Sequence, residues 1–196
     1  MQDEYELKRF YKIFNKLWYS GYHNQRALAI YTLKLYERDY DKETWKFLIP
    51  KLKEVNDFDE AEMIGRIIGI ISIKNPALKN EVIKLIKRKH VYYRRMALSV
   101  CFPLIEKKDW NFIFKLIISR LYDKEENIQE LNGQILKEIS EKNMTIVKKF
   151  ILKNMNMPQI TFDIVSNNFK DLKKMRKIKK IDDKKFIGFG WLRLVR

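Results

Sequence analysis

Cysteine is almost missing: Cys101 is the only one in 196 residues, so no disulfide can form within the chain. Its neighbours Val100, Phe102 and Leu104 suggest a buried thiol, and a reducing, cytosolic setting fits. Glycine (6) and proline (4) are scarce, which speaks against an all-β chain with many tight turns. Two isolated histidines and one cysteine are too few for the usual zinc sites. The "GFG" at 188–190 lacks the spacing and the following helix of a phosphate-cradling loop. No Ser/His/Asp pattern stands out beyond chance. No metal and no cofactor are expected. Long apolar runs are absent too. The longest, "IIGIISI" from Ile67 to Ile73, falls far short of the roughly 20 residues of a membrane-spanning helix. The opening "MQDEYELKRF" has no apolar h-region. Neither secretion nor membrane insertion is expected.

What is abundant is positive charge. The 41 Lys+Arg against 25 Asp+Glu give a net +16, which makes a polyanion the default partner, nucleic acid first. Abundant Lys, Ile and Asn also fit an AT-rich coding sequence, so composition alone does not decide the matter. Hydrophobic residues at 46% and aromatics at 13% argue against disorder over most of the length. The length suits one domain with a sizeable core.

Apolar residues recur at helical spacing in blocks of about a dozen to sixteen, divided by short polar breaks. The blocks are Glu4 to Trp18, Asn24 to Glu37, Lys42 to Leu52 with Asp41 as N-cap, Asp59 to Ile73, and a helix opened by Pro76 in "KNPALKN". Val91 to Ile105, Asp109 to Leu121 with Asp109 capping, Asn127 to Ser140, Asn143 to Asn154, and Pro158 to Phe169 follow. Ile128, Leu131, Ile135, Leu136 and Ile139 give the cleanest stripe. No run alternates as a strand would. The expectation is an all-α chain, an α-solenoid of stacked helix pairs over residues 1–169, with a compact bundle as the alternative. Residues 170–196 hold eleven basic and three acidic residues, net +8, and read as a basic tail. Within it "KKMRKIKKIDDKK" suggests a solvated helix or a disordered arm, while Phe189 and Trp191 suit packing or base stacking.

The stretch "KRKHVYYRRMALSVCF" (87–102) crowds five Lys and Arg around two tyrosines on a helix that also carries core residues. It joins a wider pattern. "LWYSGYHNQRALAIYTLKLY" contains Tyr22, His23 and Arg26 in a Tyr, His, x, x, Arg arrangement. "NDFDEAEMIGRIIGIISIKNPALKNEVIKLIKRKHVYYRRMALSVCFPL", then "NGQILKEISEKN" and "NMPQITFDIV", follow in order. Together, from about Leu17 to Val165, these resemble the DNA alkylation repair enzymes of the AlkD-like type. The resemblance implies HEAT-like repeats whose concave basic face cradles double-stranded DNA. It also implies excision of N3- and N7-alkylated purines without a base-flipping pocket. Such a purine is cationic and its bond to deoxyribose is already weak. The enzyme needs chiefly to stabilise an oxocarbenium-like sugar and to orient a water.

Carried over residue by residue, the family's Trp-x-x-x-Asp falls on Phe58 and Glu62, Glu62 being the catalytic carboxylate. Trp-x-Arg-Arg falls on Tyr92, Arg94 and Arg95, with Arg94 or Arg95 reaching phosphates and Tyr92 an aromatic wall. The later Trp-x-x-Arg reads Gln134 and Lys137, keeping the charge and losing the ring. His23 and Arg26 complete the implied DNA-binding set. Taken alone, Glu62 reads more readily as an exposed helix acid, the arginines as a solvated face as often as a binding site, and His23 as a capping or core residue rather than a base. Three functions follow: a cofactor-independent alkylpurine glycosylase, a relative that binds distorted or branched DNA without excision, and a protein-interaction scaffold. A monomer in the cytoplasm, at the nucleoid, is expected.

Overall fold

The computed structural model describes residues 2–177. Among these all regular structure is helical, with no strand. The helices are α1 (Gln2–Trp18), α2 (His23–Lys34), α3 (Lys42–Leu48), α4 (Phe58–Lys74), α5 (Lys79–Ile86) and α6 (Val91–Ser99). Then come α7 (Cys101–Glu106), α8 (Trp110–Arg120), α9 (Glu126–Lys142), α10 (Met144–Lys153) and α11 (Gln159–Ser166). Residues 170–177 are also helical. No described helix is long and apolar enough to cross a membrane.

Proline explains where the helices depart from simple periodicity. Lys42 to Leu52 reads as one helix, but after α3 the chain tightens into a 3-10 segment, Ile49–Glu54, with Pro50 in its first turn. Val91 to Ile105 also divides, into α6 and α7. Pro103 has no N–H to donate to the carbonyl of Ser99, so an unbroken helix would lose that bond. Pro76 opens a 3-10 turn, Pro76–Leu78, ahead of α5. Capping follows the sequence at Asp41, whose carboxylate accepts from the N–H of Glu43 and Thr44 while Thr44 completes a capping box. It fails at Asp109. That side chain makes no cap bond and is taken instead by Lys79. The preceding turn is closed by Lys108 at φ 55°.

The described residues form two compact units, one up to Leu131 and one from Asn132 onward, divided within α9. In the first, α1 packs on α2, α4 on α6 and α7, and α5 on α6. Phe14, Leu33, Leu48, Ile64, Ile68, Met96 and Leu98 fill its interior. Gly65 and Gly69 of α4 let α6 and α7 come close: a Cβ on Gly65 would stand 2.3 Å from the carbonyl oxygen of Met96, and one on Gly69 2.3 Å from Pro103 Cγ. In the second unit Val147, Ile151, Phe162, Val165 and Leu172 are buried. Gly133 meets Ile164 there. The basic stretch therefore begins packed. Leu172 is buried, and Arg176, also buried, donates to the carbonyl of Met157 with its guanidinium 4.1 Å from the ring centre of Phe162. The rest of that stretch, with Phe189 and Trp191, lies outside the described residues.

Candidate functional site

Asp57 caps α4, accepting from the N–H groups of Asp59 and Glu60, so the helix begins at Phe58 and presents Glu62 one turn later. Tyr92, Arg94 and Arg95 stand on the first two turns of α6. Because the glycines of α4 admit α6 closely, Phe58, Glu62, Tyr92 and Arg95 meet. The rings of Phe58 and Tyr92 pack edge to face at 5.0 Å. Arg95 donates from Nη2 to Glu62 Oε2 at 2.9 Å, from Nε to the carbonyl of Phe58 and from Nη1 to that of Asn127, both at 3.1 Å. Its guanidinium lies 5.4 Å from the ring centre of Phe58.

Glu62 has a second partner that was not singled out from the sequence. Arg66, one turn along α4, donates from Nε and Nη2 to Oε1 at 3.2 and 3.0 Å. Its guanidinium carbon also lies over Phe102, 3.7 Å from the ring centre. The two arginines differ in setting: the Arg95 side chain is 10% exposed and that of Arg66 44%, with Glu62 between at 23%. The i,i+4 spacing from Glu62 was the available signal for Arg66.

Arg94 points elsewhere. Its Nη2 donates to Asp123 Oδ1 at 3.0 Å and it also donates to the carbonyl of Lys89. Its Nε approaches Asp123 Oδ2 at 2.8 Å, though not along the N–H. This pair is buried, and Arg120 Nη1 stands 3.7 Å from the same carboxylate. The charges of the basic stretch are thus answered by acids the sequence places 29 and 33 positions away. Any phosphate contact by Arg94 or Arg95 has to exchange these bonds.

Arg26 and His23 form a separate cluster around Glu60, a buried acid that the sequence reading passed over. Arg26 donates to Glu60 Oε2 at 2.7 Å and to the carbonyl of Glu54 at 2.9 Å, and stacks on Trp18 at 4.2 Å. His23 opens α2 with an exposed side chain, neither capping nor core, its Nδ1 3.5 Å from Glu60 Oε1. Burial raises the pKa of Glu60, and Arg26 and His23 partly oppose the shift. Beside them a cavity of about 360 Å³ is lined by Trp18, Tyr19, His23, Arg26, Glu54 and Asn56. Gln134 and Lys137 belong to the second unit, on α9, half-buried and exposed respectively. Among the described residues no three His, Cys, Asp or Glu side chains group in a way that could hold a metal ion. Burial pushes the Cys101 thiol far above its ordinary pKa and leaves it no exposed surface, so it is no nucleophile.

The first unit therefore presents a carboxylate between two guanidiniums with an aromatic pair at its side. A model of the DNA alkylation repair enzymes matches residues 1–163. No curated protein matches the chain significantly. The family match spans most of the sequence and both α4 and α6, and the chain belongs to the DNA alkylation repair enzyme family.

Proposed function

We propose that the protein acts in DNA repair by binding double-stranded DNA and hydrolysing the N-glycosidic bond of cationic N3- or N7-alkylated purines. The reading takes with it HEAT-like stacking and a basic concave face, action as a monomer without a cofactor, and a place at the nucleoid in the cytoplasm. The observation that carries it is Glu62: one carboxylate oxygen locked by Arg95, the other turned toward an exposed arginine, and the Phe58–Tyr92 pair alongside. In the reaction the bond between C1′ and the base nitrogen breaks, and the electron pair leaves with the base. Glu62 stabilises the resulting oxocarbenium charge and orients the water that attacks C1′. Phe58 and Tyr92 offer ring faces to the cation. Lys137, Gln134 and His23 serve the DNA contact, and Arg26 holds the Glu60 cluster beside His23 in place.

A second reading is binding of distorted or branched DNA without excision. It is favoured by the same carboxylate, since two guanidiniums around Glu62 leave a local charge of +1, the wrong sign for holding a cation. Release of methylated purines from alkylated duplex separates the two. The first reading expects release by the wild type and a loss of at least about a hundredfold in Glu62→Ala. Release that survives this change removes Glu62 from the mechanism, and tight binding with no release at all selects the second reading.

A further inference from the structure

We propose that Arg66 is a phosphate-responsive positioning residue. In the free protein it caps Glu62 Oε1, and a backbone phosphate of bound DNA draws it away and opens that oxygen. This rests on duplex binding at the Glu62 site, which both readings above share.

The geometry makes the two arginines unequal. Arg95 is held at three points, by Glu62 Oε2 and by the carbonyls of Phe58 and Asn127, and is nine-tenths buried. Removing it from Glu62 would leave buried polar groups unpaired. Arg66 is held to the carboxylate by one edge only, Nε and Nη2, and is 44% exposed. Its Nη1 has no protein acceptor among the described residues. The ring of Phe102 beneath the guanidinium, 3.7 Å away, supports it without consuming a donor. A phosphate can therefore engage Nη1 and Nη2 as a fork and, by drawing the guanidinium toward itself, break both the Nε–H and the Nη2–H bonds to Oε1, a geometry that favours guanidinium over ammonium. Once Arg66 is neutralised by phosphate, Glu62 keeps only the Arg95 bond. Its second oxygen can then face a cation or a water. The carboxylate is thus uncapped only where a DNA strand lies.

Undamaged duplex tests this without any reading of base release. In ¹H–¹⁵N spectra of arginine Nε–H groups, assigned with Arg66→Lys, titration with a short undamaged duplex should move the Arg66 signal. The Arg95 signal, whose Nε–H is held by the carbonyl of Phe58, should stay. Affinity gives a second measure. Glu62→Gln keeps an acceptor for Arg95 but competes poorly for Arg66, so it should tighten duplex binding several-fold. In an Arg66→Ala background that gain should disappear, whereas a long-range charge effect would persist in both. An unmoved Arg66 signal, joint movement of Arg66 and Arg95, or an undiminished Glu62→Gln gain without Arg66 overturns the proposal. A wild type that passes these tests yet releases no base refutes excision and leaves the role of Arg66 standing.

Discussion

At the scale of single residues, the charges that look most available in the sequence are the most committed in the structure. Arg94 and Asp123 form a pair with side chains 9% and 4% exposed. Taking away one partner leaves the other charge buried without its match, a loss of about 3–5 kcal/mol. Arg94→Ala should therefore lower the urea midpoint strongly. Any weakening of DNA binding in that variant has to be measured where it is still folded. An unchanged midpoint would show that the pair contributes nothing to stability. Glu60 offers a prediction in pH. Burial raises its folded pKa above the ordinary 4.5, against the pull of Arg26 and His23. Relative to Glu60→Gln, the wild type should keep the full contribution of this acid below about pH 4.5 and lose it as pH rises through the raised folded value. Urea midpoints across that range check the sign, and parallel curves for the two proteins would contradict it.

At the scale of helices, the site depends on how near α4 and α6 approach. Glycine in a helix interior ordinarily gives up about 1 kcal/mol to alanine, so Gly65→Ala should stabilise if there were room. There is none: the added carbon would meet the Met96 carbonyl oxygen at 2.3 Å and Ser99 Cβ at 2.6 Å. Overpacking of this kind costs about 1–3 kcal/mol. Gly65→Ala should accordingly lower the thermal midpoint, and a raised midpoint would show that the two helices can part freely. Much of this level was legible beforehand. The α9 stripe from Ile128 to Ile139 is fully buried, and Asp41 caps α3, because each depends on spacing within one segment. Pro50 and Pro103 were also in plain view, but apolar periodicity continues through them and hides the break in hydrogen bonding. Asp109 had the right residue type for a cap. Lys79, 30 positions away, claims it through a tertiary contact that local pattern cannot encode. The same limit applies to the site. Phe58 and Glu62 were readable at i,i+4, whereas the choice of Asp123 for Arg94 and Glu62 for Arg95 emerges only when α4, α6 and the start of α9 are packed together.

At the scale of the whole chain, the proposed DNA binding draws on an excess of +16, and that excess is not evenly usable. Arg94, Arg95, Arg26 and Arg176 spend their donors on the protein. A duplex is left mainly to exposed lysines and to the exposed arginines Arg9, Arg38, Arg66 and Arg88. Contacts of that kind are counterion exchanges, so affinity should fall by at least about tenfold between roughly 50 and 200 mM salt. Residues 178–196 hold six basic and two acidic residues, net +4, and a chain ending at Lys177 should bind undamaged duplex more weakly with a shallower dependence on salt. Cutting at Lys170 instead would confuse the result, because Leu172 and Arg176 are buried in the second unit and their loss affects stability as well as charge. Affinity that is flat across this salt range would mean that phosphate neutralisation is not the source of binding. The arginine competition at Glu62 would then have no driving force.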